Sequence, residues 1–408
     1  MDSRMDSTRS QGIGLWPDRG ESLMRHRNIV LHNVLNQVSW PRFKEKVARH
    51  GTDKHVRSLT TKTQFIAMAY GQLSGAKGLR ETVSQFRSHG PKLDQLGAKP
   101  VALSTLGDAN AKRSSGVFED LFKDLMAASH RRVRQALGGA TYLIDSTHLH
   151  LNEHSAKWAR YSAGVCGAKV HVVYDPDADQ PIYAAFTTAN VNDITVAQQM
   201  PIEPGATYVF DLGYHDYGWW KTMDDAGCRI VTRLKSNTHL TVSRDRFVWP
   251  GGPILSDQIG TLPARQARNR HNPMQVEMRE VQVRIETGKV LRILTNDLTS
   301  SAQTIADLYK RRWAIELHFR WIKQELKIKK FFGVSENAVR TQVYIALIVF
   351  LLLRLAHCAQ TSVPVLLEFV RLVRTHLMSW RDVRALENPD ERPPPSQKRQ
   401  PNSDWCVA

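Results

Sequence analysis

Tyr309, Arg312, Glu316 and Lys323 stand at offsets of zero, three, seven and fourteen in one segment. At about 100° per residue these side chains fall within a sector of roughly 60° on one helix. Leu308, Ile315, Phe319, Ile322 and Leu326 fill a neighbouring sector, which gives the helix a buried face with a charged stripe beside it. A carboxylate flanked by fixed cations suits metal-assisted chemistry on phosphates. Taken alone, the helix is explained equally well by a solvated side joined by an Arg312–Glu316 pair, worth about 0.3–0.5 kcal/mol.

Two aspartates upstream change that balance. Asp145 closes the apolar run Tyr142-Leu143-Ile144 and precedes Ser146-Thr147-His148, and Asp211 closes Tyr208-Val209-Phe210 and precedes Leu212-Gly213-Tyr214. A carboxylate at the end of a hydrophobic strand is costly to bury without a counter-charge. Singly, such an aspartate often caps a turn. Together with Glu316 the two make three carboxylates that can share divalent cations, Mg²⁺ with Mn²⁺ as a substitute, through hard oxygen ligands. A pair of ions about 3.5–4 Å apart can activate a water or a 3′-hydroxyl and stabilise the leaving oxygen. The chain has no G-x-x-x-x-G-K-[ST] loop and no G-x-S-x-G elbow, so neither a nucleotide cofactor nor acyl transfer is indicated.

The 408 residues are 42% hydrophobic and carry a formal charge of +17 with Cys166, Cys228, Cys358 and Cys406 widely spaced. That length supports a full core and more than one domain. The charge favours a polyanionic partner, nucleic acid over anionic membrane. Four scattered cysteines without a CxxC pair fit a reducing cytoplasm. His148, His150, His154 and His171 lack the paired cysteine or helical HExxH arrangement of a zinc site. The apolar run Val343 to Leu353 is too short to span a bilayer and reads as a buried core helix.

The chemistry-bearing residues need elements to position them. Residues 1–24 are polar and irregular, and residues 25–135 show helical periodicity throughout, with Lys77, Arg80, Lys112 and Arg113 near the turns. Those cations suit either helix–turn–helix pairs that reach DNA phosphates or a helical bundle with basic solvent faces. From 136 to 360 the pattern is α/β: strands at Thr141–Ile144, Lys169–Tyr174, Pro181–Thr188, Thr207–Phe210 and Arg229–Leu234, then a β-rich insertion at about 235–300. Helical periodicity returns from Ala302 to about Lys330 and from Val339 to His357, followed by a helical segment at 361–388. Residues 389–408 are polar and proline-rich, and are expected to be disordered.

These residues resemble the DDE transposases of bacterial insertion sequences, in the subgroup with a Y-x2-R-x3-E-x6-K signature. Tyr309, Arg312, Glu316 and Lys323 satisfy that signature, and Ile144-Asp145-Ser146-Thr147 and Asp211-Leu212-Gly213-Tyr214 look like its two aspartate motifs. One departure is Leu212, where many relatives carry a basic residue. The resemblance implies a ribonuclease H-like catalytic core with a β-rich insertion, preceded by an all-helical DNA-binding domain. It implies that Asp145, Asp211 and Glu316 are the metal-binding catalytic triad, and that Tyr309, Arg312 and Lys323 hold DNA-end phosphates or an extruded base.

The implied activity is cut-and-paste transposition at the bacterial nucleoid. Terminal inverted repeats are bound and paired by at least two protomers, cut, and joined to target DNA, with water and then a 3′-hydroxyl as nucleophile. Relatives that pass through a hairpin stack a flipped base on an aromatic side chain, for which Trp249 is the candidate. A tryptophan beside Pro250 is also common local packing. Two rival readings stay open: a metal-dependent nuclease without strand transfer, and a DNA-binding remnant that no longer catalyses.

Overall fold

The structure, a computed structural model, describes residues 28–134, 139–265, 270–326, 328 and 330–386. The expected irregular segment 1–24 and disordered tail 389–408 lie outside the described residues. Helices come first: α1 (Val30–Leu35), α2 (Trp40–Arg49), α3 (Thr61–Ser74), α4 (Leu79–Ser88), α5 (Gly90–Leu96), α6 (Leu103–Lys112) and α7 (Gly116–Arg134). Local chemistry sets their ends. The Thr60 hydroxyl accepts from the Thr63 N–H at 3.2 Å to cap α3, and Gly75, at φ 74°, ends it in the left-handed conformation a side chain would resist.

The α/β part follows as β1 (Thr141–Leu151), α8 (Ala156–Ala159), β2 (Arg160–Ser162), β3 (Val165–Asp175), β4 (Gln180–Thr188), α9 (Asp193–Ala197), β5 (Thr207–Phe210), α10 (Tyr217–Asp225) and β6 (Arg229–Arg233). Strands β4, β3 and β1 form an antiparallel meander, and β5 and β6 run parallel to β1 on its other side. The order β4-β3-β1-β5-β6 is that of a ribonuclease H-like core. Then come β7 (Thr241–Asp245), β8 (Ile254–Thr261), β9 (Glu277–Arg284) and β10 (Val290–Thr295), all antiparallel. Because β10 pairs with β6, these strands continue the same sheet, with β7 at its far edge.

Among the described residues four helices follow the strands: α11 (Ala302–Arg311), α12 (Trp313–Glu325), α13 (Glu336–Cys358) and α14 (Leu366–Thr375). The periodicity predicts one helix from Ala302 to about Lys330, but the structure divides it at Arg312. There the Arg312 and Ile315 N–H groups bond three residues back, to Tyr309 and Arg312, which tightens the turn. Helix α11 packs over β6, β9 and β10, and α12 packs over β1. The two halves thus serve different strands.

The sheet separates two hydrophobic clusters. On one face Tyr142, Ile144, Tyr208, Phe210 and Ile230 pack against Trp220 and Met223 of α10. On the other face Leu143, Val172, Val209 and Val231 join a cluster that includes Phe65, Phe118 and Phe122 of the early helices and most of α13. Helix α13 is long and apolar enough to cross a membrane, yet 83% of its most apolar window is buried, as the expected core helix requires. Among the turn cations, Arg113 faces inward: its guanidinium donates to the Leu59 carbonyl and the Gln64 side chain.

Candidate active site

The parallel pairing of β1 and β5 ends at Ile144 and Phe210, so the next residues on the two strands, Asp145 and Asp211, are neighbours in register. Adjacent strands lie about 4.8 Å apart, and beyond this point these two separate. Strand β1 runs on with β3, while the chain after Asp211 turns at once through Leu212–Tyr214. Each aspartate is fixed by a following amide. Asp145 Oδ1 accepts from the Ser146 N–H at 2.8 Å and Asp211 Oδ1 from the Gly213 N–H at 2.8 Å.

Helix α12 supplies the third carboxylate. Arg312, at its start, reaches both acids: it donates to Asp145 Oδ2 at 3.2 Å and to Glu316 Oε1 at 2.5 Å. Its side chain is only 18% exposed and lies over the buried Tyr309 ring, 5.9 Å from the centroid. Burial pushes the Asp145 carboxyl up to about 6, and Asp211 and Glu316 add to the rise against the opposing Ser146 N–H and Arg312. The Tyr309 hydroxyl is also raised, chiefly by burial. An accumulation of negative charge on buried oxygens is what a divalent cation relieves.

Those oxygens suit Mg²⁺ or Mn²⁺ as a donor set. Among the described residues, however, no three acidic, histidine or cysteine groups form a ready metal site. Arg312 occupies the position of counter-charge between Asp145 and Glu316. A cation among these carboxylates would share Asp145 and Glu316 with that guanidinium.

A cleft of about 380 Å³ opens beside the acids, lined by Asp145, Ser146, Thr147, Glu316, Phe319, Arg320, Lys323 and Gln324. Lys323 thus joins two of the three carboxylates. Asp211 lies just outside the lining, close enough to raise Asp145. Trp249 stands apart. It follows β7, six strand positions from β1, is 79% exposed, and meets the equally outward Phe247 edge-on at 5.0 Å.

Three residues near the acids, Asp193, Tyr214 and Arg320, are not among the candidate site residues of the sequence. Asp193 opens α9, accepts from Lys169 Nζ at 2.9 Å, and brings Oδ2 within 3.3 Å of where a Cβ on Gly213 would stand. Gly213 has no Cβ, so its turn can lie against both Asp211 and Asp193. Tyr214 is fully buried, and burial, then Asp193, Asp145 and Asp211, hold its hydroxyl far above the usual range. Arg320 follows Glu316 by four residues, a helical spacing that could have placed it at the cleft.

Comparison with known proteins gives this geometry its family. The Transposase DDE domain family matches residues 137–352, and a Domain of unknown function (DUF4372) matches residues 26–99. A Sinorhizobium fredii protein named as a transposase, y4zB, is 41% identical over 290 residues, covering 71% of this chain and 80% of that protein. The protein named as the transposase for insertion sequence element IS5377 of Geobacillus stearothermophilus is 32% identical over 276 residues, 65% of this chain and 71% of that one. Among solved structures, the piggyBac transposase synaptic complex with hairpin DNA aligns over 88% of this chain and 82% of its own, at 11% identity and a TM-score of 0.45. The match of the DDE domain across both aspartate strands and α12, with relatives named as transposases, means that this chain belongs to the DDE transposase family.

Proposed function

We propose that the protein binds the terminal inverted repeats of an insertion sequence, cleaves the DNA at their ends, and transfers the freed 3′-ends to target DNA. The observation that carries this reading is the convergence of Asp145, Asp211 and Glu316, 171 positions apart from first to last, beside a cleft that also holds Lys323. Asp145, Asp211 and Glu316 would hold the divalent ions. When bound, such ions polarise the scissile phosphate and lower the pKa of the attacking water.

The protein's own groups do the rest. Lys323 and Arg320, which line the cleft with Phe319, pair with phosphate oxygens of the DNA end. Arg312, freed from a carboxylate, becomes available to the phosphate being cut. In the first step a water oxygen bonds to phosphorus as the bond to the 3′-oxygen breaks, leaving a 3′-hydroxyl. In the second, that hydroxyl bonds to a target phosphorus and displaces the target's own 3′-oxygen, so the number of phosphodiester bonds is conserved. Two protomers pair the two ends, and Trp249 with Phe247 offers an exposed aromatic platform for an extruded base.

The test is cleavage and joining of labelled terminal-repeat DNA with Mg²⁺ or Mn²⁺, comparing the unmodified chain with Asp211→Ala. Joined product that disappears in the variant while DNA binding persists is the expected result. Cleavage without joining would make the protein a nuclease, and binding with neither would make it a silent DNA-binding remnant.

A further inference from the structure

The face of the sheet behind Asp145 holds a buried polar cluster that the proposed reaction does not use. Strand β3 pairs with β1 so that Lys169 lies opposite His148, His171 opposite Ser146 and Val172 opposite Asp145. Alternation therefore sets Lys169 and His171 on the face away from the Asp145 side chain. Lys169 is only 8% exposed, and His171 is fully buried. A buried ammonium needs partners, and Lys169 Nζ donates to the Val191 carbonyl and to Asp193 Oδ1, each at 2.9 Å. His171 Nε2 meets the Thr187 hydroxyl at 2.8 Å, and its Nδ1 lies 3.7 Å from the same Asp193 oxygen. Burial, opposed by Asp193, lowers the imidazole to about 4, which leaves Lys169 and Asp193 as the charged pair of the cluster.

The other oxygen of Asp193 faces the turn that follows Asp211. The point where a Cβ on Gly213 would stand has Asp193 Oδ2 at 3.3 Å and Asp211 Oδ1 at 3.0 Å, so both carboxylates close on the one residue of the turn without a side chain. Asp211 depends on that turn for its direction. Its Oδ1 accepts from the Gly213 N–H at 2.8 Å, and its carbonyl accepts from the Tyr214 N–H at 3.3 Å. Trp220 holds the end of the turn, where its Nε1 donates to the Tyr214 carbonyl at 3.1 Å. Asp193 and the rest of α9 meet it at its middle. A shift of Gly213 would carry with it the amide that aims Asp211.

We infer that Asp193, anchored by Lys169, is a positioning residue of the active site: it buttresses the Gly213 turn and so fixes the direction in which Asp211 presents its carboxylate to a divalent ion. The inference rests on the reading of Asp211 as a metal-holding group. Lys169 neutralises Asp193, so this carboxylate can stand beside Asp211 without adding to the negative charge gathered there. Groups that orient a metal-binding side chain in this way are worth about 10–100-fold in metal affinity or activity.

The experiment titrates Mn²⁺ into the full chain bound to a terminal-repeat duplex, with the free ion read by electron paramagnetic resonance, and follows single-turnover cleavage in the same samples. The main variant is Lys169→Met with Asp193→Ala, which removes both charges together and leaves no ammonium buried alone. It should weaken Mn²⁺ binding and slow cleavage by about tenfold or more, with DNA affinity, circular dichroism and melting close to those of the unmodified chain. Asp193→Asn keeps the volume and an oxygen for Lys169, and should retain most of the Mn²⁺ affinity. Gly213→Ala keeps both charges and crowds the space between the carboxylates, and should lose about as much as the main variant. Unchanged Mn²⁺ binding in the main variant or in Gly213→Ala would overturn the inference. So would an Asp193→Asn protein as impaired as the main variant, because Asp193 would then act through its charge and not through its place. Mn²⁺ bound as tightly by Asp211→Ala as by the unmodified chain, or by neither, would overturn the reading of the acids on which the inference rests.

Discussion

Asp145 shows at the scale of one residue how a site can oppose the fold that holds it. Its carboxyl is raised from the ordinary range to about 6, by burial first and by Asp211 and Glu316 after it. A folded-state pKa above the unfolded value means that the group's contribution to stability is full below about 4 and is lost as pH rises through about 6. In EDTA, Asp145→Asn should therefore stabilise the protein by on the order of 1–2 kcal/mol at pH 8 and by almost nothing at pH 4, with catalysis abolished. Urea unfolding of both proteins at the two pH values checks this. An equal gap at both would show that the carboxylate charge is not the source.

The same residue was legible in the sequence, and its neighbours show why others were not. Asp145 and Asp211 each close a run of apolar residues, a local signal that a strand ends on a charge. Asp193 gives no such signal. Its place beside Gly213 depends on Lys169, on a different strand, and on a turn whose position is set by the pairing of β1 with β5. The role of Arg312 was half visible: the i,i+4 contact to Glu316 follows from helix geometry, but the second contact, to Asp145, spans 167 positions of sequence.

At the scale of elements, periodicity gave the types but not the joints. A helical stripe from Ala302 onward cannot reveal that α11 and α12 part at Arg312, because the residues on both sides keep helical spacing. Nor does alternation in β7–β10 reveal that β10 pairs with β6, since a strand's partner is a long-range choice. Gly260 marks a further joint, where β8 meets β7. A Cβ there would stand 2.3 Å from the Thr241 carbonyl oxygen and 2.9 Å from Val242 Cα, backbone atoms that cannot turn aside. Gly260→Ala should cost about 1–3 kcal/mol. Because β7 is an edge strand, the loss should appear as faster amide exchange in Thr241–Asp245, with β1 and β5 protected as before. Loosening β1 and β5 equally would show that the outer strands brace the acids.

At the scale of the whole molecule, one helix ties the parts together. Helix α13 packs against α1, α3, α6, α7, α12 and α14, and its apolar residues belong to the same cluster as Leu143, Val172 and Val209 of the sheet that presents the aspartates. The early helices therefore share a core with the α/β part, and neither can expose its side of α13 without loss to the other. Such coupling makes a single cooperative unfolding transition the expected behaviour despite the chain's length. Leu351 is fully buried in α13, and Leu351→Ala leaves a cavity whose cost is about 2–5 kcal/mol. Calorimetry with tryptophan fluorescence should show one transition moving to lower temperature, reported alike by Trp40 among the early helices and by Trp220 under the sheet. If instead Trp40 reported an early transition and Trp220 an unshifted later one, the shared cluster would not couple the two parts.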